Sequence, residues 1–257
     1  MAVEEIHDLL AYDGLKIIQR KDLFRFSLDS LLLADFININ LRTKRIIDFG
    51  TGLGPVPLYL SLKTDKPIIG IDIQDDMVEL AKRSVKLNKL ENQITIYKRD
   101  IKEAFKDYET NIFDIISMNP PFFKYHHDEF LNDLDAFTIA RHEVYIDLEG
   151  IILAAKKMIT NGGSLNLIHR ANRLEEITLL LNKHGFVIKR LKFVYTTTNK
   201  DAMMVLIDAR ANGKTGDLKV LKPLVIYDEN NEYTKEVLKI FHLGDAFYEK
   251  EQELSIK

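Results

Sequence analysis

Asn119-Pro120-Pro121-Phe122 closes a short apolar run, Phe113-Asp114-Ile115-Ile116-Ser117-Met118. Together these residue types can hold a planar amine. The asparagine oxygen can accept one N–H and the Pro120 carbonyl the other. Two acceptors on one amino group draw its nitrogen toward tetrahedral geometry and localise its lone pair. Proline fixes φ and carries no donor, so the acceptors sit on a stiff loop. Phe122 offers a ring on which a base can stack, an interaction worth ~1–3 kcal/mol. The exocyclic amine of adenine, delocalised into its ring, is a poor nucleophile that such a site would activate by positioning and electrostatics. A base inside a duplex or stacked loop must first be flipped out. Alone, the tetrapeptide also reads as a proline turn with Phe122 in the core and Asn119 as a cap. Its place after a strand and downstream of a glycine loop favours the chemical reading.

That glycine loop is Asp48-Phe49-Gly50-Thr51-Gly52-Leu53-Gly54. Glycines let a backbone turn sharply and approach a ligand closely. In an open parallel sheet, nucleotides bind in the crevice at the strand ends. Asp72 lies 18 residues beyond Gly54, at the end of the next apolar run, where a carboxylate can accept both hydroxyls of a ribose. The dinucleotide fingerprint G-x-G-x-x-G would need a glycine at Pro55. The pattern present, G-x-G-x-G led by Asp48, is that of S-adenosylmethionine enzymes. Asp100, in Lys98-Arg99-Asp100-Ile101, is placed either to accept from the adenine amino group of that cofactor or to cap a helix over Ile101 to Phe105.

Other candidates surround these motifs. Tyr125 could add a second stacking face, and Arg141, in Arg141-His142-Glu143, could contact phosphate or pair with its neighbours. His126 and His127, adjacent and without cysteine or a spaced third ligand, do not make a metal site. The stretch from Phe123 to Tyr145 is long for a connection and reads as a lid or substrate loop. Between Lys183 and Lys222 nine Lys/Arg face three Asp. Lys189, Arg190 and Lys192 lie there, on either a phosphate-facing surface or a solvated face.

The elements that must position these groups alternate. Strands are expected over Lys44–Phe49, Pro67–Ile73, Ile94–Tyr97, Phe113–Met118 and Ser164–Ile168, then Phe186–Tyr195 and Met203–Ala209. Helices are expected over Leu58–Leu62, Asp75–Asn88, Asp147–Ile159 (stopped by Asn161-Gly162-Gly163) and Leu174–Lys183. This order predicts an α/β fold with a doubly wound, mostly parallel sheet and an antiparallel hairpin at one edge. Residues 44–210 would form that domain. Residues 1–43 would be a helical extension packing on the cofactor site, with an amphipathic helix over Phe26–Phe36 capped by Ser27. Residues 211–257 would be a small β-rich or irregular tail of the same domain.

The chain of 257 residues is 46% hydrophobic and 29% charged, with net charge -3 and no cysteine. That is enough apolar material for a core. It excludes disulfides and thiolate zinc sites and fits a reducing compartment. Met1 to Leu10, with Glu4, Glu5 and Asp8, does not read as a secretory signal, and no run approaches a membrane span.

With these residues in view, the chain resembles the bacterial tRNA1(Val) adenine-N6 methyltransferases. The resemblance rests on Phe26-Ser27-Leu28-Asp29-Ser30-Leu31-Leu32-Leu33-Ala34, the glycine loop, Asp72 and Asn119-Pro120-Pro121-Phe122. It extends to Ile168-His169-Arg170 with Arg173-Leu174, and to Pro223-Leu224-Val225-Ile226-Tyr227 with Tyr233-Thr234. It implies a Rossmann-like class I methyltransferase sheet, S-adenosylmethionine as cofactor and a tRNA as substrate in the cytoplasm. The modified base would be the adenine 3′ of the anticodon of a valine tRNA. It also implies that Ser27 and Asp29 line the cofactor pocket. Guanine-N2 methyltransferases of ribosomal RNA and glutamine-N5 protein methyltransferases share the chemistry. A non-catalytic RNA scaffold is opposed by Asn119, and a dehydrogenase by Pro55.

Overall fold

A computed structural model describes residues 3–11, 13–23, 27–106, 111–120 and 147–245. Pro121, Phe122, Tyr125, His126, His127 and Arg141 lie outside them.

Ile46–Phe49 (β3) is buried at every residue, as expected of a strand covered on both faces. Around it lie Ile68–Asp72 (β4), Ile94–Lys98 (β5), Phe113–Met118 (β6) and Ile159–Arg170 (β7), followed by Phe186–Tyr195 (β8) and Ala202–Ala211 (β9). Their spatial order is β5-β4-β3-β6-β7-β9-β8. The pairs from β5 to β7 are parallel. Successive residues feed opposite layers: Ile46 and Ile115 enter one core and Ile47 and Ile116 the other.

The first layer holds Leu28–Phe36 (α1), Pro55–Leu60 (α2) and Asp75–Leu87 (α3). The second holds Ile101–Ala104 (α4), Leu148–Met158 (α5) and Leu174–Lys183 (α6). α3 buries Met77, Leu80, Ala81 and Val85 on one stripe, and Asp75 and Asp76 suit its N-terminal dipole. α5 is capped by Asp147, which accepts from the Gly150 N–H at 2.8 Å.

The expected antiparallel hairpin is found at that edge of the sheet, β9 running between β7 and β8. Lys219–Val220 (β10) and Leu224–Val225 (β11) then pair in parallel with the outer edge of β8. Asn161-Gly162-Gly163 does not stop α5. The helix ends at Met158 and passes straight into β7, and the glycines lie where the β6–β7 register shifts. A Cβ on Gly163 would meet Ile159 at 2.7 Å. Among the described residues of 1–43 only α1 is helical: Glu4–Asp8 (β1) and Lys16–Arg20 (β2) form an antiparallel hairpin. That hairpin docks on α3, where the Asn88 side chain bonds both N–H and C=O of Lys16 at 2.8 and 2.7 Å.

α1 is not amphipathic. Ser30, Leu31, Leu32, Leu33, Ala34 and Phe36 are all buried, because the helix sits between the sheet and Lys235–Phe241 (α7). Ser27 occupies the cap position without making a capping bond. Lys63 closes the other end, giving hydrogen bonds to the carbonyls of Ala34, Asp35 and Ile37 at 2.7–2.9 Å. Burial lowers its ammonium to about 8. In the tail, Leu224, Ile226, Val237 and Ile240 join the first core layer.

Candidate active site

The C-terminal ends of β3, β4, β5 and β6 form one rim. Gly50, Gly52 and Gly54 all carry positive φ (61°, 54° and 84°), so the loop after β3 follows a path that L side chains resist. Thr51 N–H bonds to Ile71 O at 2.9 Å, tying the loop to β4. A Cβ on Gly70 would meet the Thr51 hydroxyl at 2.9 Å, which explains the glycine in that strand. Gly54 turns into α2, whose first residue is Pro55. Proline is preorganised for that position, so the residue that breaks the dinucleotide pattern starts a helix here.

Asp72, 6% exposed at the end of β4, spends each carboxylate oxygen on a backbone amide. Oδ2 accepts from Gly52 N–H at 2.8 Å and Oδ1 from Gln74 N–H at 2.9 Å. Burial raises its pKa, and these donors oppose the rise. A carboxylate has about four acceptor positions, so the backbone amides do not fill them all. Beside it, a Cβ on Gly52 would meet no atom of the described residues within 4 Å. The loop therefore borders open space, with acceptors next to it.

Asp48 leads the glycine loop. Only 2% exposed, it lies beneath the loop and accepts from Ser117 Oγ at 2.6 Å. Burial pushes its carboxyl up to about 7, against the pull of that hydroxyl. Asp48 thus supports the loop from below. Asp100 caps α4, accepting from Lys102 N–H at 2.9 Å. The helix-cap reading is realised there, at the rim beside β5.

Asn119 follows β6, held level with the glycine loop because Phe49 pairs with Met118. Its Nδ2 donates to Ser30 Oγ on α1 at 3.2 Å. Its buried Oδ1 has no hydrogen-bond partner among the described residues. A buried acceptor without a donor is costly and calls for an explanation. Pro120, also buried, follows it. In the first turn of α1, Ser27 Oγ donates to Asp29 Oδ2 at 3.3 Å. Burial raises the Asp29 pKa, and the charge of Arg170 at the end of β7 opposes it.

The basic candidates separate from this group. Arg190 crosses the Phe36 ring at 4.4 Å, donates to Phe36 O at 3.2 Å and reaches Asp208 at 3.4 Å. Lys189 donates to Gly216 O at 2.7 Å. Both are spent on holding the fold. Lys192 is half-buried further along β8. Arg190 ends a polar row that crosses the sheet through paired positions Asp48, Ser117, Asn166 and Asp208. Sequence reasoning passed over Ser30 and Ser117, whose partners lie 89 and 69 residues away. The signal was weak: Ser30 sat in a segment marked only by its resemblance.

Among the described residues no group of three His, Asp or Glu could hold a metal ion, and no helix is long and apolar enough to cross a membrane.

Residues 25–194 match the model of the methyltransferase small domain. The chain is 26% identical to a tRNA1(Val) (adenine(37)-N6)-methyltransferase of Tolumonas auensis, over 86% of this chain and 88% of that one. It is 28% identical to a protein of the same name from Porphyromonas gingivalis, over 79% and 78%. The crystal structure of a predicted O-methyltransferase from Agrobacterium tumefaciens superposes with a TM-score of 0.64 at 21% identity, covering 83% of this chain and 95% of that one. The doubly wound sheet is thus a Rossmann-like methyltransferase fold.

Proposed function

The chain belongs to the methyltransferase small domain family, and from that premise we propose that it methylates N6 of an adenine in tRNA, using S-adenosylmethionine. The adenine is the one 3′ of the anticodon of a valine tRNA, the base named in the relatives from Tolumonas auensis and Porphyromonas gingivalis. The observation that carries the reading is Asn119 Oδ1, a buried acceptor at the strand-end rim without a donor among the described residues.

The residues present fit the cofactor. Open space beside Gly52 and the uncommitted acceptor positions of Asp72 suit a nucleoside. Asp100 at the same rim suits its base, and Ser27 and Asp29 in the first turn of α1 suit its polar end. When bound, S-adenosylmethionine supplies a sulfonium methyl that a nitrogen lone pair can take as the thioether leaves.

The protein's own part is positional. Asn119 Oδ1 accepts one N–H of the adenine amine and Pro120 O the other, which localises the lone pair on the nitrogen. Pro121 stiffens the loop, and Phe122 and Tyr125 supply stacking faces. Arg141 and Lys192 are the remaining candidates for phosphate contacts, because Lys189 and Arg190 are engaged in the fold.

The test is methylation of valine tRNA transcript with S-adenosylmethionine, read by mass spectrometry of the digested nucleosides. N6-methyladenosine is expected, and Asn119→Ala should keep cofactor binding while losing turnover. Label in N2-methylguanosine, or in no nucleoside, overturns the substrate. Turnover by Asn119→Ala near the wild-type rate overturns the acceptor role.

A further inference from the structure

We infer that Ser30 is a positioning residue for this reaction: its hydroxyl anchors the Asn119 amide by its nitrogen end, an orientation that leaves the carbonyl end uncommitted. The inference rests on the reading of Asn119 as the acceptor of the substrate amine.

An asparagine amide is nearly symmetric in shape and opposite in chemistry at its two ends. Its last torsion is broad and roughly two-fold, so a buried amide without partners can present either end. Turned one way, Asn119 offers an acceptor to an amino group. Turned the other, it offers a second donor, and the two N–H groups repel. The strand fixes the Asn119 backbone through the Phe49–Met118 pairing but leaves that torsion open.

A hydroxyl can meet either end of an amide, and here it is the nitrogen end that Ser30 meets. Nδ2 donates to Ser30 Oγ at 3.2 Å, and Oδ1 is then the end left over. Ser30 is only 7% exposed, so water does not easily take its place. The hydroxyl is itself held on a fixed helix. Lys63 bonds three carbonyls at the far end of α1, and Arg190 bonds the Phe36 carbonyl and covers its ring. Drawing electron density toward the donated N–H also strengthens Oδ1 as an acceptor, since linked hydrogen bonds polarise one another.

Ser30→Ala tests this. Turnover should fall by about 10- to 100-fold, the scale expected when a reacting group is misplaced. KM for tRNA and Kd for S-adenosylmethionine should stay within about twofold, the pattern of an interaction lost from the transition state alone. The Asn119 side-chain amide protons, assigned by comparing 15N spectra with Asn119→Ala, should exchange faster with solvent. Ser30→Thr keeps a hydroxyl and should hold turnover near wild type.

Wild-type turnover in Ser30→Ala, beside an inactive Asn119→Ala, overturns the inference and leaves the acceptor role standing. Turnover and cofactor affinity falling together overturn it too, because that marks a displaced α1, whose first turn carries Ser27 and Asp29. Equal losses in Ser30→Ala and Ser30→Thr, with a lowered Tm, assign the effect to packing and sink it. An active Asn119→Ala removes the parent reading and this one with it.

Discussion

Gly52 donates its backbone N–H to Asp72 Oδ2 at 2.8 Å, so the glycine loop and the acid that ends β4 are one construction. The second oxygen of Asp72 holds Gln74 N–H, one residue before α3 begins. The carboxylate therefore shapes the rim before any ligand is present.

Asp72→Ala leaves both amides without their acceptor, at about 1–3 kcal/mol for each buried unpaired group. Chemical denaturation should show a loss of that order, and calorimetric titration no measurable cofactor binding. Asp72→Asn retains one acceptor oxygen, so it should lose less stability while still weakening cofactor binding. Unchanged affinity in Asp72→Asn would remove this residue from the pocket.

Gly52→Ala separates strain from occlusion. The backbone at φ +54° disfavours a side chain, at a cost of roughly 1–2 kcal/mol. No atom of the described residues within 4 Å opposes the new methyl, so the fold should survive with a modest drop in Tm. The methyl enters the space beside Asp72, and cofactor affinity should fall by roughly tenfold or more, about 1.4 kcal/mol. Titration of cofactor into a variant shown to be folded reads this directly.

Stability should depend on pH through two buried groups of opposite sense. Burial raises Asp48 to about 7. The folded state therefore keeps a proton that the unfolded chain releases near pH 4, and stability falls as pH rises from there to about 7. Burial, helped by Arg173, lowers His169 to about 4. Its contribution runs the other way and is lost as pH falls below about 6.5. Between about pH 4 and 6.5 the two offset each other. Asp48→Asn should match wild type near pH 4 and exceed it above pH 7, by on the order of 2–4 kcal/mol. It should also expose the His169 slope. Denaturation across that range measures it, and a pH-independent difference would contradict the burial account.

Arg190→Ala should destabilise the fold without altering tRNA recognition. The variant loses a ring contact, a helix-end hydrogen bond and a partner of the buried Asp208, which keeps Ser164 and Arg210. A loss of about 2–3 kcal/mol is expected, below the cost of stripping a buried charge bare. KM for tRNA should be unchanged. A raised KM at full stability would return Arg190 to the RNA surface.

Much of this site was legible because it is local. The apolar run before Asn119 predicts β6 with its observed ends, and the glycine spacing together with Asp72 marks the rim. Leu174–Lys183 is also read with its observed bounds, since its stripe lies within the helix and its stop signal, His184-Gly185, directly follows it. What stayed hidden depends on distant partners. β1 reads Glu-Glu-Ile-His-Asp, with one apolar residue, and becomes a strand only by pairing with β2. Arg190 looks like a surface cation until Phe36 is brought beneath it. Ser30 looks like one polar residue in an apolar helix until β6 delivers Asn119 beside it.

The hairpin of residues 4–20 bears on how the chain is made. Its inner strand docks on Asn88 and Ser84, and Ala11 N–H bonds to Phe241 O. Tyr59 likewise bonds to Ile240 O. A ribosome releases residues 4–20 long before α3 and longer still before α7. A two-stranded ribbon alone is at best marginally stable in water. The first strands must therefore wait at least until α3 has been made, and for the bond to Phe241 longer still. Folding of this layer is closed by its last helix, and a chain stopped short of α7 would leave α1 without that cover and Ala11 without its bond.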